Sequence, residues 1–547
     1  MLSDQDLYDY LPPVERFTPQ EEVALRPYVT NIDKPVFALV NLPEVVKGAL
    51  FARYSRSSKS LRRLLLDEFM EDLPQLAAMQ QESHRRAEAL YNRVFNEYGD
   101  DSVAQLGSVH LACEGVSNVL TKVLERGRLM SYLEQSTRYV PYNDQINGGW
   151  KYHIPGELQG TLRQKYCCVL DAAFATYARW LELMEVYFRE RNPRTDETSL
   201  GAYNRTIRAK ALDVLRGLLP AATRSNLGIY GSGQAYETLL LRMRASNVSE
   251  TRAFADLILQ ELRKVIPSFI ARVDRPDRGV VWSEYLAQTK EAINTQVANL
   301  LDTTVEAVVP DVTLTDFDPE GEVKVVAAAL YPTSSLPDVQ LLSIARQLSV
   351  NERAEILRAC VGVRKNRRHR PGRAFERTHY RFDVMTDYAT FRDLQRHRLL
   401  TIEWQTLSPA HGYIIPDSIE EAGAHDDWCR VMDASAELHQ DLISNGYHEL
   451  APYAVLMAYR IRFCMEMNAR EAMHVIELRT TPQGHAAYRQ VCQEMHRLIA
   501  DQAGHHAIAA AMHFANHEQV ELGRLEAEKA KQTSTDQSQK GARQVVS

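Results

Sequence analysis

The feature that most constrains this chain is an internal echo. Arg126-Gly127-Arg128 and Arg396-His397-Arg398 lie 270 residues apart in a chain of 547, about half its length. Each follows a segment with helical periodicity, Val103–Glu125 and Phe375–Gln395, and each precedes a polar cluster. Long helical stretches then lead to a Leu-Arg pair, Leu241-Arg242 in the first half and Leu478-Arg479 in the second. The first interval is longer by about 33 residues, which points to an insertion near Glu185–Lys210. Landmarks that recur in one order at half-chain spacing describe a duplicated unit whose copies have diverged.

Apolar residues spaced by three and four predict helices over Ser60–Met79, Arg85–Glu97, Val103–Leu124, Gln164–Arg189, Thr251–Val273 and Ala486–Met512. In Thr251–Val273 the stripe is Phe254, Leu257, Ile258, Leu262 and Ile266, one buried face. The strand candidates, Val36–Val40 and Val323–Leu330, are short and rich in Val and Ala, so helix dominates over a minority sheet. Val305–Glu322, with its prolines, aspartates and glycine, predicts a linker. Leu525–Ser547 is charged and Gln/Ser/Thr-rich, which predicts disorder.

Composition narrows the class. Hydrophobic residues make up 45% and charged residues 25%, which excludes a disordered chain and a collagen-like fibre. Lys+Arg 64 against Asp+Glu 71 leaves a net charge of -7, so bulk electrostatics favour neither nucleic acid nor an anionic membrane as partner. Seven cysteines without a CxxC argue against a disulfide framework or a structural zinc site. The acidic N-terminus MLSDQDLYDY and the absence of a membrane-length apolar run predict a cytoplasmic protein.

Three segments carry charge in patterns that suit anionic ligands. Glu125–Tyr139 (ERGRLMSYLEQSTRY) holds three arginines, whose planar forks bind phosphate; a surface helix end with a Glu134–Arg138 pair is the plainer alternative. Arg396-His397-Arg398 presents adjacent cations that cannot all face one way on a helix. A dinucleotide pyrophosphate would satisfy them, and so would solvent at a helix end. In Asn468–Arg479 (NAREAMHVIELR), at about 100° per residue, Arg470 and His474 share one side while Asn468 and Arg479 share nearly the opposite side. Such a helix lines an interface or a ligand, or belongs to a buried polar network. His110 reads as a core histidine; the basic run Arg364–Arg373 (RKNRRHRPGR) could touch phosphate or RNA, but a solvated loop is the better reading. His505, His506 and His513 lack the carboxylate motif of a metal site. No GxGxxG, P-loop, GxSxG or HExxH motif is present.

Together these segments resemble the flavin-dependent thymidylate synthases, a family marked by the pattern RHRxxSxNExSxRY. The first half matches at Arg126, Arg128, Ser131, Glu134, Ser136, Arg138 and Tyr139, and departs at Gly127 and Leu133. The second half keeps Arg396-His397-Arg398 but carries Trp404, Thr406 and Ser408 where the pattern has Glu, Ser and Arg. Downstream, Asn468, Arg470, His474, Leu478 and Arg479 match the family's Asn-x-Arg and later Leu-Arg. The first-half segment GIYGSGQAYETLLLRMR lacks that Asn and Arg, while Arg216, ahead of Leu219-Pro220, resembles a further family arginine. The resemblance spans Val36–Lys264 and Val323–Arg497.

The resemblance implies an α+β, helix-rich fold of two tandem copies, residues 1–305 and 306–522, each a mixed sheet flanked by long helices, with a disordered tail over 523–547. It implies reductive methylation of dUMP to dTMP at a site shared between the halves. FAD would be the cofactor, with NADPH and methylenetetrahydrofolate as co-substrates and no metal. Glu134, Gln135, Ser136, Thr137, Arg138, Arg216, Arg396 and Arg479 would bind dUMP, and Arg479 would polarise the uracil ring. Arg396, His397, Arg398, Asn468, Arg470 and His474 would hold FAD. The losses are complementary, since one half keeps nucleotide-side residues and the other flavin-side residues. A homodimer would then imitate the family's homotetramer, without membrane or nucleic-acid partners. Three alternatives stand beside this reading: a degenerate paralogue that binds flavin or nucleotide without turnover, a related flavin enzyme that modifies another pyrimidine nucleotide, and an RNA-associated protein using Arg364–Arg373, which the net charge of -7 disfavours.

Overall fold

The structure, a computed structural model, describes residues 11–42, 44–68, 70, 107–146, 148–195, 198–301 and 304–518. The chain forms two compact units whose segments interleave along the sequence. One comprises Met1–Leu181, Leu218–Glu306 and Gly423–Leu456; the other comprises Glu182–Gly217, Ala307–Ala422 and Met457–Ser547. Each unit therefore takes segments from both halves.

The first unit contains a four-stranded sheet in the order β1-β2-β4-β3, formed by β1 (Val36–Ala38), β2 (Ser108–Ser117), β3 (Met130–Glu134) and β4 (Arg224–Ser232). The second unit repeats that order as β5-β6-β8-β7, with β5 (Val312–Phe317), β6 (His379–Asp387), β7 (Thr401–Trp404) and β8 (Arg460–Asn468). The fold is α+β and helix-rich, and the repeated strand order is consistent with tandem copies. The expectation of a mixed sheet is corrected, because every pairing is antiparallel. β2 and β3 run the same way, but β4 lies between them and pairs antiparallel with both; β8 does the same for β6 and β7.

Both faces of the first sheet are covered. Val36, Ala38, Leu111, Leu227 and Ile229 pack with Phe254, Ile258 and Leu262, whereas Phe37 joins Leu50, Tyr54 and Leu61. A strand buried on both faces reads as an unbroken apolar run, as Val36–Val40 does. The same ambiguity explains a correction: of the expected helix Val103–Leu124, Ser108–Ser117 is the central strand β2 and only Asn118–Leu124 is helical. Phe375–Gln395 resolves likewise into β6 and the helix Tyr388–Leu394. Val323–Leu330 is corrected in the other direction, since it lies in the helix Gly321–Leu330, where its alanines favour that state. Within the expected linker, Val312–Phe317 is β5.

Gln164–Arg189 falls inside the helix Gly160–Arg191, and most of Thr251–Val273 falls inside Ser249–Val265. Ala486–Met512 divides into Ala486–Asp501 and His506–Ala511 around Gly504, whose φ of +69° a side chain would oppose. Of Ser60–Met79, Leu61–Glu68 is helical. Arg85–Glu97 and the tail 523–547 lie outside the described residues. Among the described residues no helix is long and apolar enough to cross a membrane.

Four strands end in the residue that caps the following helix. The side chains of Ser117, Ser232, Asp387 and Asn468 accept from the backbone N–H of Leu120, Ala235, Thr390 and Glu471, respectively. Each satisfies a donor that the first helical turn would otherwise leave unpaired.

A buried carboxylate ties the second-half segment into the first unit. Glu250 accepts from Ser117 Oγ and from Tyr453 Oη, each at 2.6 Å, and from the Ser117 backbone N–H at 2.9 Å. The same segment supplies Val455 O to Ala221 N at 2.8 Å and Tyr453 O to Ala222 N at 3.1 Å. Tyr453→Phe should lower stability by about 1–3 kcal/mol, because a buried carboxylate oxygen loses a donor. Urea unfolding should show a lower midpoint at unchanged slope; an unchanged midpoint would remove Glu250 as the tie.

Candidate functional site

In the second unit, β6 and β8 each deliver a charged helix end. Asp387 caps Tyr388–Leu394, after which the chain presents Asp393, Arg396, His397 and Arg398. Asn468 caps Ala469–Arg479, which fixes the places of Arg470, Glu471, His474, Glu477 and Arg479 along the helix.

Asp393 is the hub of this arrangement. Its Oδ2 accepts from Arg216 Nη1 at 3.1 Å, with both residues buried. Its Oδ1 lies 3.8 Å from Arg396 Nη2, and its backbone oxygen accepts from Arg479 Nη2. Arg479 Nε donates to His397 Nε2 at 2.9 Å. That bond makes Nε2 an acceptor and leaves the ring proton on Nδ1, facing Glu471 Oε1 at 3.7 Å. Burial, reinforced by Arg479, holds His397 neutral, far below the usual histidine range.

His474 stands edge-on to His397, with ring centroids 5.5 Å apart, and its Nδ1 meets Arg370 Nη2 at 2.9 Å. Burial and the Arg370 charge push its pKa down to about 4. Burial pushes Glu471 up to about 7, against the opposing pull of Arg370, Arg470 and Arg398. Arg470 Nε donates to Pro371 O at 3.0 Å, and its Nη1 lies 3.6 Å from Glu376.

The second unit thus brings together Arg216, Arg396, His397, Arg398, Asn468, Arg470, His474 and Arg479. Glu134, Gln135, Ser136, Thr137 and Arg138 lie in the first unit, at and beyond the end of β3. There Glu134 is buried 3.5 Å from Lys122 Nζ, Gln135 Nε2 donates to Ser57 O at 2.7 Å, and Ser136 Oγ accepts from Arg138 N at 3.3 Å.

The caps also put the two copies in register. Ser108 pairs with Ser232 as His379 pairs with Asn468, so Ser232 and Asn468 are the same structural position. Counting onward, Gln234, Ala235, Thr238, Leu241 and Met243 stand where the second copy has Arg470, Glu471, His474, Glu477 and Arg479. Arg242 is one residue out of that register, and Met243 is fully buried. Gly127 replaces His397, and Tyr132 Oη donates to Gly127 O at 3.0 Å. A Cβ on Gly127 would lie 2.6 Å from that hydroxyl.

Sequence reasoning missed Asp393, Glu471 and the Arg364–Glu477 pair, while Arg370 lay in a run read as able to touch phosphate. Asp393 sits three residues before Arg396 and Glu471 three after Asn468, but nothing local marks them as buried. Most of Arg364–Arg373 is exposed, as a solvated loop would be, but Arg364 itself is buried against Glu477, a partner 113 positions away. His505 is held by Tyr380 Oη at 2.7 Å and by Asp318 O at 3.0 Å.

Among the described residues, His397, Glu471 and His474 hold their ligand atoms within 4.8 Å of one another, a spacing a metal ion would accept. Arg367, Arg370, Arg398, Arg470 and Arg479 surround them, so the field there repels a dication and attracts an anion. Arg216 Nη2 is buried without a hydrogen-bond partner among the described residues. A cluster of guanidiniums with a spare buried donor fits a phosphate-bearing ligand.

Glu471 has a testable signature. Its carboxyl binds a proton more tightly in the fold than its ordinary value of 4.5 allows, so its contribution is full below pH 4.5 and is lost as pH rises through about 7. Glu471→Gln keeps the neutral form. Its stability advantage over wild type should be smallest near pH 4.5 and largest above about pH 7 in urea titrations. A pH-independent difference would contradict the raised value.

A family model described as thymidylate synthase complementing protein matches residues 48–268 and 313–503, one segment in each half. A UPF0159 protein of Chlamydia pneumoniae is 36% identical over 529 residues, covering 95% of this chain and 99% of the relative. A UPF0159 protein of Thermoplasma acidophilum is 30% identical over 513 residues, covering 88% and 97%. A flavin-dependent thymidylate synthase of Mycobacterium sp. (strain JLS) is 32% identical over 187 residues, which is 34% of this chain and 69% of that protein. The strand order found twice and the two matched segments agree, and the chain belongs to the thymidylate synthase complementing protein family.

Proposed function

We propose that this protein methylates dUMP reductively to dTMP, with FAD as cofactor and NADPH and methylenetetrahydrofolate as co-substrates. The observation that carries the reading is the pose of Arg479, whose Nε is bound to His397 and whose Nη2 is bound to the Asp393 backbone oxygen. A guanidinium held in this way needs no reorganisation to polarise a pyrimidine carbonyl as charge develops on it. No protein nucleophile is required; the residues position and stabilise.

Bound FAD would supply the hydride. Arg396, His397, Arg398, Asn468, Arg470 and His474 would hold it, and their surplus of cations suits its diphosphate. Arg216 would offer its spare Nη2 to dUMP, with Arg396, Arg479, Glu134, Gln135, Ser136, Thr137 and Arg138 as further ligands. Arg216 belongs to the first half by sequence and bonds to Asp393 of the second, which supports a site that both halves supply. A homodimer would stand in for a tetramer of single copies. The named flavin-dependent synthase among the relatives supports the chemistry.

Complementation of a thymidine auxotroph tests the reading directly. Purified protein should carry the visible flavin band and release tritium from C5-labelled dUMP. Arg479→Ala should abolish release while keeping the flavin, and Arg396→Ala with Arg470→Ala should lose the flavin. Arg138→Ala should weaken dUMP about ten- to a hundred-fold, the worth of a charge-assisted hydrogen bond of about 1.5–3 kcal/mol. Arg242→Ala should change little. Flavin without turnover would identify a binding protein instead, and protein without flavin would end the proposal.

A further inference from the structure

The basic run Arg364–Arg373 is built into the second unit beside the Arg470 and His474 side of the helix Ala469–Arg479. Arg364 forms a buried fork with Glu477, Nη1 donating to Oε1 at 2.6 Å and Nη2 to Oε2 at 2.5 Å, and both side chains are 1% exposed. Its N–H groups also donate to the backbone oxygens of Ala511 at 2.8 Å, His369 at 2.5 Å and Arg367 at 3.4 Å. One guanidinium therefore fastens the run to the helix and shapes the turn from inside. Asn366 completes the turn, accepting on Oδ1 from Arg368 N at 2.9 Å and on its backbone oxygen from His369 N at 3.1 Å.

The turn sets Arg370 on His474 Nδ1 and Pro371 O on Arg470 Nε. Arg370 is exposed and Arg367 half-buried. Among the described residues neither has a carboxylate within ion-pair distance; Arg470 has Glu376 at 3.6 Å, and Glu376 also takes Arg373 at 3.0 Å. A solvated loop would need no buried ion pair to hold its shape. Here such a pair presents two guanidiniums that no carboxylate among the described residues meets at ion-pair distance, next to a neutral imidazole whose Nε2 proton is a further donor.

We propose that Arg367, Arg370 and His474 form a phosphate-binding subsite, taking the phosphate of a dinucleotide. The subsite stands on the geometry of the run, while the identity of its ligand rests on the function proposed above. Two sources share the chemistry: the diphosphate of FAD and the 2′-phosphate of NADPH.

The test uses the full chain as wild type, as the double variant Arg367→Gln/Arg370→Gln, and as Arg497→Gln, a surface control paired with Glu494 and Asp501. Each is titrated calorimetrically with inorganic pyrophosphate, FAD, FMN, NADPH and NADH, after circular dichroism confirms the fold. Pyrophosphate should bind about ten-fold or more weakly to the double variant and unchanged to the control. If the flavin diphosphate occupies the subsite, FAD weakens while FMN does not; if the 2′-phosphate does, NADPH falls to the affinity of NADH while FAD is unaffected. Equal pyrophosphate affinity in wild type and double variant, or no measurable binding by wild type, overturns the proposal. Wild type that binds pyrophosphate in this manner but no flavin would sink the synthase reading and leave the subsite standing.

Discussion

The strand whose last residue caps the next helix is the constraint on which both copies depend. A cap is worth only about 1 kcal/mol, but its positional effect is larger. Sheet register fixes the strand end, since a slip of one residue would turn every buried side chain outward. The cap fixes the first turn, and the first turn fixes the direction of each later side chain. Arg479, eleven residues beyond Asn468, therefore reaches His397 because β6 and β8 pair as they do. The same logic makes Met243 its counterpart.

Asp393 shows how the charged residues are kept in place. Its carboxylate faces Arg216 and Arg396 while its backbone oxygen takes Arg479. Buried charges are costly to desolvate, and only a network that satisfies them on several sides offsets that cost. Such a network is stiff. An anionic ligand, under the function proposed above, would meet donors already aimed, and the surrounding cations would lower the expense of burying its negative charge.

Much of this was legible beforehand and some was not, for reasons visible in particular residues. The duplicated order of landmarks, and a helix over 469–479 with polar groups on two sides, were readable from spacing alone. β2 was not, because a strand covered on both faces shows no alternation; β5 hid in a segment whose prolines and aspartates read as a linker. Asp393 and Glu471 were invisible as site members, since their partners Arg216 and His397 are remote in sequence. The burial of Arg364 within a mostly exposed run was not readable, because its partner Glu477 lies 113 positions downstream.

The tyrosine over Gly127 has a consequence for the two copies. Where the second copy places an imidazole, the first has let Tyr132 settle into the space and bond to the backbone there. A histidine at 127 would first require moving that ring, and the position that corresponds to Arg479 holds Met243, buried in apolar packing. The two copies are therefore not interchangeable: a histidine at 127 would need the Tyr132 hydroxyl displaced, and an arginine at 243 would need a fully buried apolar side chain replaced by a charge.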